Sequence, residues 1–240
     1  MILLSKIADS ISSRGFLGTV SLVSKSLAGY SRIFIQHLEE KEFDRKWGVH
    51  TSGRTKPQGQ TEIALQAEIY QGTAPRVFEA ILNNLSIDTR RFVFVDLGCG
   101  KGRALILAAA CSFKAVIGVE YDQKLSQIAD MNLRRRGLLS TGTLNSVICG
   151  DAGEYSLPDE HVVVYLFNPF KSEVMRRVLH NICAPSSKER YIIYYNPVLA
   201  DELCDQSPHL DFVISGPTIP GRSRFAVYKV RLHGSARESA

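Results

Sequence analysis

Phe94-Val95-Asp96-Leu97-Gly98-Cys99-Gly100-Lys101-Gly102-Arg103 runs from an apolar stretch into three alternate glycines and then into a helix-forming segment. Glycine lets a backbone turn sharply and approach a ligand where a Cβ would obstruct it. In a doubly wound sheet, ligands lie beyond the carboxyl ends of the strands, which is where such a loop falls. The spacing is G-x-G-x-G, whereas a dinucleotide site expects G-x-G-x-x-G with a pyrophosphate on the helix N-terminus. A phosphate loop ends in G-K-[ST], and here Lys101 is followed by Gly102. Both comparisons disfavour a phosphate ligand. Asp96, at the strand's end, supplies a carboxylate suited to an ammonium group, as on an amino-acid-like ligand.

Outward from this stretch, the apolar runs Phe92–Val95, Ala115–Val119, Ser146–Cys149, Val162–Phe167 and Tyr191–Tyr195 read as strands buried on both faces. Helical stretches near 103–111, 123–136, 172–183 and 198–204 separate them. This alternation specifies a doubly wound, mostly parallel α/β sheet, because parallel neighbours need crossover connections. Asp211–Ser215 and Arg224–Val230, joined by Gly216-Pro217 and Pro220-Gly221, read as a closing hairpin and bring the strands to seven. Pro75 opens a helix to about Leu85, since its missing N–H costs nothing in a first turn.

Upstream, apolar residues between 2 and 38 recur near helical spacing, broken by Gly15, Gly18 and Gly29. We read two or three short helices forming an extra layer on the core; the rival is a basic amphipathic surface that touches nucleic acid or a membrane. Residues 44–62 are polar and rich in Gly, Ser and Thr, and read as a loop that joins this extension to the core and serves as a candidate lid. The expected division is an N-terminal helical extension and loop over 1–60, a core over 61–232 and a disordered tail over 233–240.

The 240 residues suffice for one sizeable α/β domain, and 45% apolar with 22% charged residues exclude a disordered or membrane-spanning chain. The net charge of +5 concentrates at the front, where residues 1–60 hold nine Lys or Arg against five acids. That excess favours an acidic partner for the extension rather than for the core. Cys99, Cys111, Cys149, Cys183 and Cys204 are scattered, without C-x-x-C pairs or clustered His, so neither disulfides nor a metal site is expected, and most read as small buried apolar residues. Lys6 and Asp9 follow the opening Met-Ile-Leu-Leu too closely for a signal peptide, and a cytoplasmic protein is expected.

Two further acids fall at strand ends. Glu120 closes Val116-Ile117-Gly118-Val119-Glu120, 24 positions after Asp96, where a carboxylate can accept both hydroxyls of a ribose. Asp151, in Cys149-Gly150-Asp151-Ala152, can accept from an adenine amino group. Together the three outline a nucleoside. Val95 to Gly102, Gly118 to Glu120 and Gly150 to Ala152 resemble the first three motifs of class I S-adenosylmethionine-dependent methyltransferases, over roughly residues 70–230. That resemblance implies a Rossmann-like methyltransferase fold with S-adenosylmethionine as cofactor. It implies that Asp96, Gly98, Cys99, Gly100 and Gly102 surround the methionine moiety. Glu120 would meet the ribose, Asp151 with Ala152 the adenine, and Tyr121 would also border the cofactor.

The fourth strand ends in Asn168-Pro169-Phe170, where the methyl donor is expected. An amide there can orient a nucleophile and also border the cofactor, a proline stiffens the loop, and an aromatic ring can stack on a planar acceptor. The triplet is similar to the Asn/Asp-Pro-Pro-Tyr/Phe motif of amino-group methyltransferases, without its second proline, which weakens the inference to adenine or glutamine amides. Tyr70-Gln71-Gly72-Thr73-Ala74-Pro75 resembles the segment that closes over the cofactor in non-SET lysine methyltransferases, so that Tyr70 and Thr73 become hydrogen-bonding candidates for its methionine end. With Phe43 to Thr51 it is similar to a group of bacterial methyltransferase-like proteins of undefined substrate. Tyr194-Tyr195-Asn196-Pro197, at the end of the fifth strand, reads either as facing the acceptor pocket or as aromatic core packing. The expected reaction is methyl transfer to a nitrogen, on a protein or other macromolecule. The alternative is a nucleic-acid-binding module that kept the fold and lost catalysis.

Overall fold

The apolar runs do become strands. In the computed structural model, which describes residues 35, 37–55, 68, 70–139, 144–217 and 224–232, they are β1 (Phe92–Leu97), β2 (Ala115–Glu120), β3 (Ser146–Cys149), β4 (His161–Phe167), β5 (Arg190–Tyr195), β6 (Leu210–Pro217) and β7 (Arg224–Val230). They form one seven-stranded sheet in the order β3-β2-β1-β4-β5-β7-β6. β7 runs antiparallel to both β5 and β6, and the other pairings are parallel. The chain order reverses between β1 and β4, and a crevice opens at such a switch point.

The helices are α1 (37–47), α2 (Pro75–Leu82), α3 (Arg103–Ala110), α4 (Gln123–Arg135) and α5 (Ser172–Ile182). Pro75 occupies the first turn of α2, where its missing N–H costs nothing. α3 is Ala- and Leu-rich, the composition that loses least on helix formation. Asp122 caps α4 by accepting from Lys124 and Leu125 N–H, and Arg134 and Arg135 lie in its last turn, where cations suit the helix dipole. One apolar layer joins Phe43, Phe78, Leu105, Leu133 and Phe94 on one face of the sheet. A second joins Val93, Val95, Met175, Val178 and Tyr194 on the other.

Several expectations need correction. Residues 44–47 belong to α1, because Phe43 and Trp47 stack on one face at 5.7 Å and Phe43 buries itself in the core. β3 is not buried on both faces; as the sheet's edge it is half-exposed to exposed along its length. The stretch near 198–204 supplies one π turn, Ala200–Cys204, rather than an α-helix. Cys99 and Cys204 are buried, whereas Cys149 is exposed. The helices expected before residue 35, the 56–62 part of the loop, the tip of the β6–β7 hairpin and the tail fall outside the described residues. Among the described residues no helix is long and apolar enough to cross a membrane, and no cluster of three metal-ligating side chains occurs.

Candidate functional site

The glycine loop leaves β1 and is stitched to the neighbouring strand. Gly98 and Cys99 N–H both donate to the Val119 carbonyl, at 2.8 and 3.1 Å, and Gly100 N–H donates to Glu120 Oε2 at 2.8 Å. Gly98 and Gly100 take φ +86° and +54°, which L side chains adopt at a cost. Their missing side chains also make room for protein. A Cβ at Gly98 would lie 2.6 Å from Pro169, and one at Gly100 would lie 2.0 Å from the Tyr70 ring. Gly102 packs on Ala129 and Leu133 of α4. Only Gly98 of the three lines the cavity at the strand tips; Gly100 and Gly102 shape the loop from behind it.

That cavity encloses about 210 Å³, and Asp96, Glu120 and Asp151 all line it. Asp96 is 4% exposed and makes no side-chain hydrogen bond with another described residue. Burial, and then the nearby Glu120 charge, push its carboxyl well above the usual carboxylate range. Glu120 is also raised, mainly by burial, although Gly100 and Asp122 N–H both donate to it. Asp151 is held differently: its Oδ1 accepts from Gly153 N–H at 2.8 Å, and its Oδ2 pairs with Arg177 at 2.9 Å. Tyr121 and Ala152 complete this side of the wall, and Cys99 turns its sulfur back toward Gly118.

Across the switch point, Asn168, Pro169 and Phe170 reach the same cavity from β4, and Asn196 from β5. Asn168 and Asn196 hold φ +39° and +52°, a left-handed conformation that Asn tolerates better than most side chains. Tyr194 donates its hydroxyl to Asn168 Oδ1 at 3.2 Å, and burial pushes that phenol up to about 12. Tyr195 packs its ring on Phe167, 4.2 Å away, so it supports the wall from the core. Thr73 shares a 2.9 Å hydrogen bond with Tyr165, whose hydroxyl burial raises far above the ordinary phenol range.

A methyltransferase-domain family model matches residues 95–182, the stretch from the glycine loop to the end of α5. Within this stretch the chain is similar to a methyltransferase domain. A ribosomal protein L11 methyltransferase of Hamiltonella defensa subsp. Acyrthosiphon pisum is 25% identical over 120 residues, or 43% of this chain. The aligned stretch covers only 39% of that relative's length. The fold is similar to that of yhhF of Escherichia coli, provisionally named a methyltransferase, with a TM-score of 0.53 at 15% identity, over 74% of this chain and 98% of that one. PH1948 of Pyrococcus horikoshii, provisionally named an RNA methyltransferase, gives a TM-score of 0.50 at 20% identity, over 82% and 98%.

The matched stretch is braced by a segment that precedes it. Asp44 accepts from Thr51 N–H, Thr51 Oγ1 and Ser52 N–H, and folds the 48–52 turn back onto α1. Burial pulls its carboxyl upward, but those donors outweigh it and leave the pKa below the usual value. The turn then grips the glycine loop. Thr51 Oγ1 accepts from Arg103 Nε at 2.7 Å, Ser52 O accepts from Lys101, and Asn132 of α4 exchanges hydrogen bonds with the His50 backbone. Tyr70 donates its hydroxyl to Thr51 O at 2.7 Å, so the group expected to meet the cofactor is already engaged, although Tyr70 does line the cavity. None of residues 44–55 lines the cavity; the described part of the expected lid is a brace. Arg103, Tyr165 and Phe167 also line it and were not singled out from the sequence. Each lies in a run that reads as ordinary core, and only their meeting at one cavity marks them.

Proposed function

We propose that the protein transfers a methyl group from S-adenosylmethionine to a nitrogen atom, on a protein or another macromolecule. One observation carries this reading: the acidic tips of β1, β2 and β3 and the Asn168-Pro169-Phe170 tip of β4 line a single cavity. The residues present suit the cofactor. Asp96 is a dehydrated carboxylate beside a second one, and a ligand ammonium group relieves both penalties. Glu120 keeps acceptor capacity, beyond that used by Gly100, Tyr121 and Asp122, for a ribose hydroxyl. Asp151 is oriented by Gly153 and Arg177 toward an adenine edge.

S-adenosylmethionine held by these residues would supply an electrophilic methyl group for attack by an acceptor lone pair. The chain's own task is then to aim the nucleophile and keep water out. Asn168 Oδ1 accepts from Tyr194 and has a second lone pair for an acceptor N–H. Pro169 fixes that amide: its carbonyl accepts from Glu68 N–H, and its ring fills the space over Gly98. Phe167 and Phe170 line the cavity beside Asn168 and give a planar or alkyl acceptor an apolar surface.

Tritiated methyl transfer into fractionated cell lysate tests the proposal, with hydrolysis of the labelled fraction to locate the methyl on nitrogen, oxygen or carbon. Label on a macromolecular nitrogen, lost in Asn168→Ala, supports it; label confined to small molecules overturns the macromolecular acceptor. The excess of nine basic over five acidic residues in 1–60 favours a second reading, a nucleic-acid-binding module without catalysis. Salt-dependent oligonucleotide binding with no binding of S-adenosylhomocysteine would identify that rival.

A further inference from the structure

A second hollow, of about 400 Å³, opens beside the first where β5 ends, and Asn196 lines both. The Asn196 N–H donates to the Arg224 carbonyl at 2.8 Å and ties the end of β5 to the start of β7, while its side-chain amide makes no hydrogen bond with another described residue. Two aspartates stand on the new wall, Asp201 in the π turn and Asp205 just after it. Tyr228 donates its hydroxyl to Asp205 Oδ1 at 2.6 Å, which fixes that carboxylate and leaves Oδ2 for another donor. Val198 and Phe212 line the hollow as well and are 66% and 58% exposed, so apolar surface lies in water beside the two charges. Glu68, whose N–H donates to the Pro169 carbonyl at 3.1 Å, brings a third carboxylate to the first cavity. Among the described residues that line the two cavities away from the glycine loop, Glu68, Asp201 and Asp205 are offset by one cation, Arg224, although the chain as a whole carries +5.

We infer that this second hollow docks a basic polypeptide, which lays a lysine or arginine side chain against Asp201 and Asp205 while the neighbouring residue to be methylated passes Asn196 into the first cavity. This deepens the methyl-transfer reading above and rests on it. Charge selects the occupant. A nucleic acid brings phosphates, which the three carboxylates repel, whereas an ammonium or guanidinium group is drawn to them. The shape of the wall suits a long basic side chain, whose methylenes cover Val198 and Phe212 while its charged head stays in water at the aspartates. Phe212 meets Tyr228 edge-on at 6.0 Å and so offers aromatic surface to the same cation. The unengaged Asn196 amide, at the junction of the two cavities, can hydrogen-bond the peptide group that bridges them. Because the rest of the chain is basic, such a partner gains little elsewhere on the surface, and its binding is concentrated in this groove.

The test is fluorescence anisotropy with a short labelled oligolysine peptide, in the presence of S-adenosylhomocysteine, with oligoglutamate and oligouridylate of equal length as the other probes. The wild type should bind oligolysine, more weakly as salt rises, and neither of the others. Asp201→Asn combined with Asp205→Asn should weaken oligolysine about tenfold or more, the scale of lost charged contacts, and leave S-adenosylhomocysteine affinity within about twofold by calorimetry. Asp201→Lys should abolish oligolysine binding and serves if the double variant does not fold, since Asp201 is exposed and makes no hydrogen bond with another described residue. Absence of oligolysine binding, equal binding by the variants, or preference for oligouridylate overturns the inference, the last by assigning the groove to nucleic acid. A dimer that Asp201→Lys dissociates overturns it too, by giving the groove to a second copy of the chain. Any of these results with S-adenosylhomocysteine binding retained leaves the cofactor reading intact. Failure of the wild type to bind S-adenosylhomocysteine overturns that reading, and this inference with it.

Discussion

The two halves of the cavity are built in different ways. On the side proposed for the methyl donor, Asp96, the glycine loop, Glu120 and Asp151 come from three successive strand ends, and their neighbours in space are close in sequence. On the side proposed for the acceptor and in the brace, Thr51 reaches Arg103 across 52 positions and Thr73 reaches Tyr165 across 92. The donor half is held by backbone hydrogen bonds from the loop itself. The other half is held by buried side-chain contacts between distant segments. A local site is therefore expected to lose function when one of its groups is changed, and an assembled site to lose stability as well.

The strongest break should come at Asp96. Asp96→Asn is expected to weaken S-adenosylhomocysteine by about 2–3 kcal/mol, because a charged partner for the ligand ammonium is lost, as read by calorimetry. The same change should raise the thermal midpoint of the ligand-free protein, since a buried unpaired carboxylate is removed. The pH dependence follows from the direction of the shift. A carboxyl whose folded pKa lies above its unfolded value binds protons more readily when folded. Ligand-free stability should therefore fall as pH rises from the ordinary carboxylate range through the raised value. Glu120, also raised, adds to that slope, so Asp96→Asn should flatten the curve without removing it. Ligand affinity should run the opposite way and weaken as pH falls and Asp96 takes up a proton.

Asn168→Ala is next: about a tenfold to hundredfold loss of turnover with S-adenosylhomocysteine affinity unchanged, since the amide is assigned to aiming the acceptor. Equal losses in both measurements would move Asn168 to the donor half. Thr51→Val tests the brace. It strips Arg103 of its hydrogen-bond partner and Asp44 of the Thr51 hydroxyl, and should cost about 1–3 kcal/mol of stability, or roughly 2–4 °C of midpoint per kcal/mol. The smallest effect is expected at Arg177, whose partner Asp151 is buried but which is itself 43% exposed. Arg177→Ala should change stability by less than about 1 kcal/mol. A larger loss would show that Asp151 depends on distant support and belongs with the assembled half.

How much of this was legible from the sequence follows the same division. The strand runs and the G-x-G-x-G spacing are short-range signals, and they located β1 to β5, α3, α4 and the three acidic tips. The brace left no such mark. Asp44 and Thr51 sit in a polar stretch that reads as a connecting loop, and Arg103 reads as the polar start of an apolar helix. Tyr70 was a candidate for its hydroxyl, yet that hydroxyl is committed to Thr51.

By itself the sequence determined which residues stand at the strand ends, because residue order and hydrophobic period act over a few neighbours and need no distant partner. Only the tertiary structure decided that Arg103 is buried with two unpartnered nitrogens, that Gly98 and Gly100 accommodate Pro169 and Tyr70, and that residues 48–52 grip the glycine loop. Those facts depend on which chain segments pack together, and packing is set by the whole sheet and its two apolar layers rather than by local spacing.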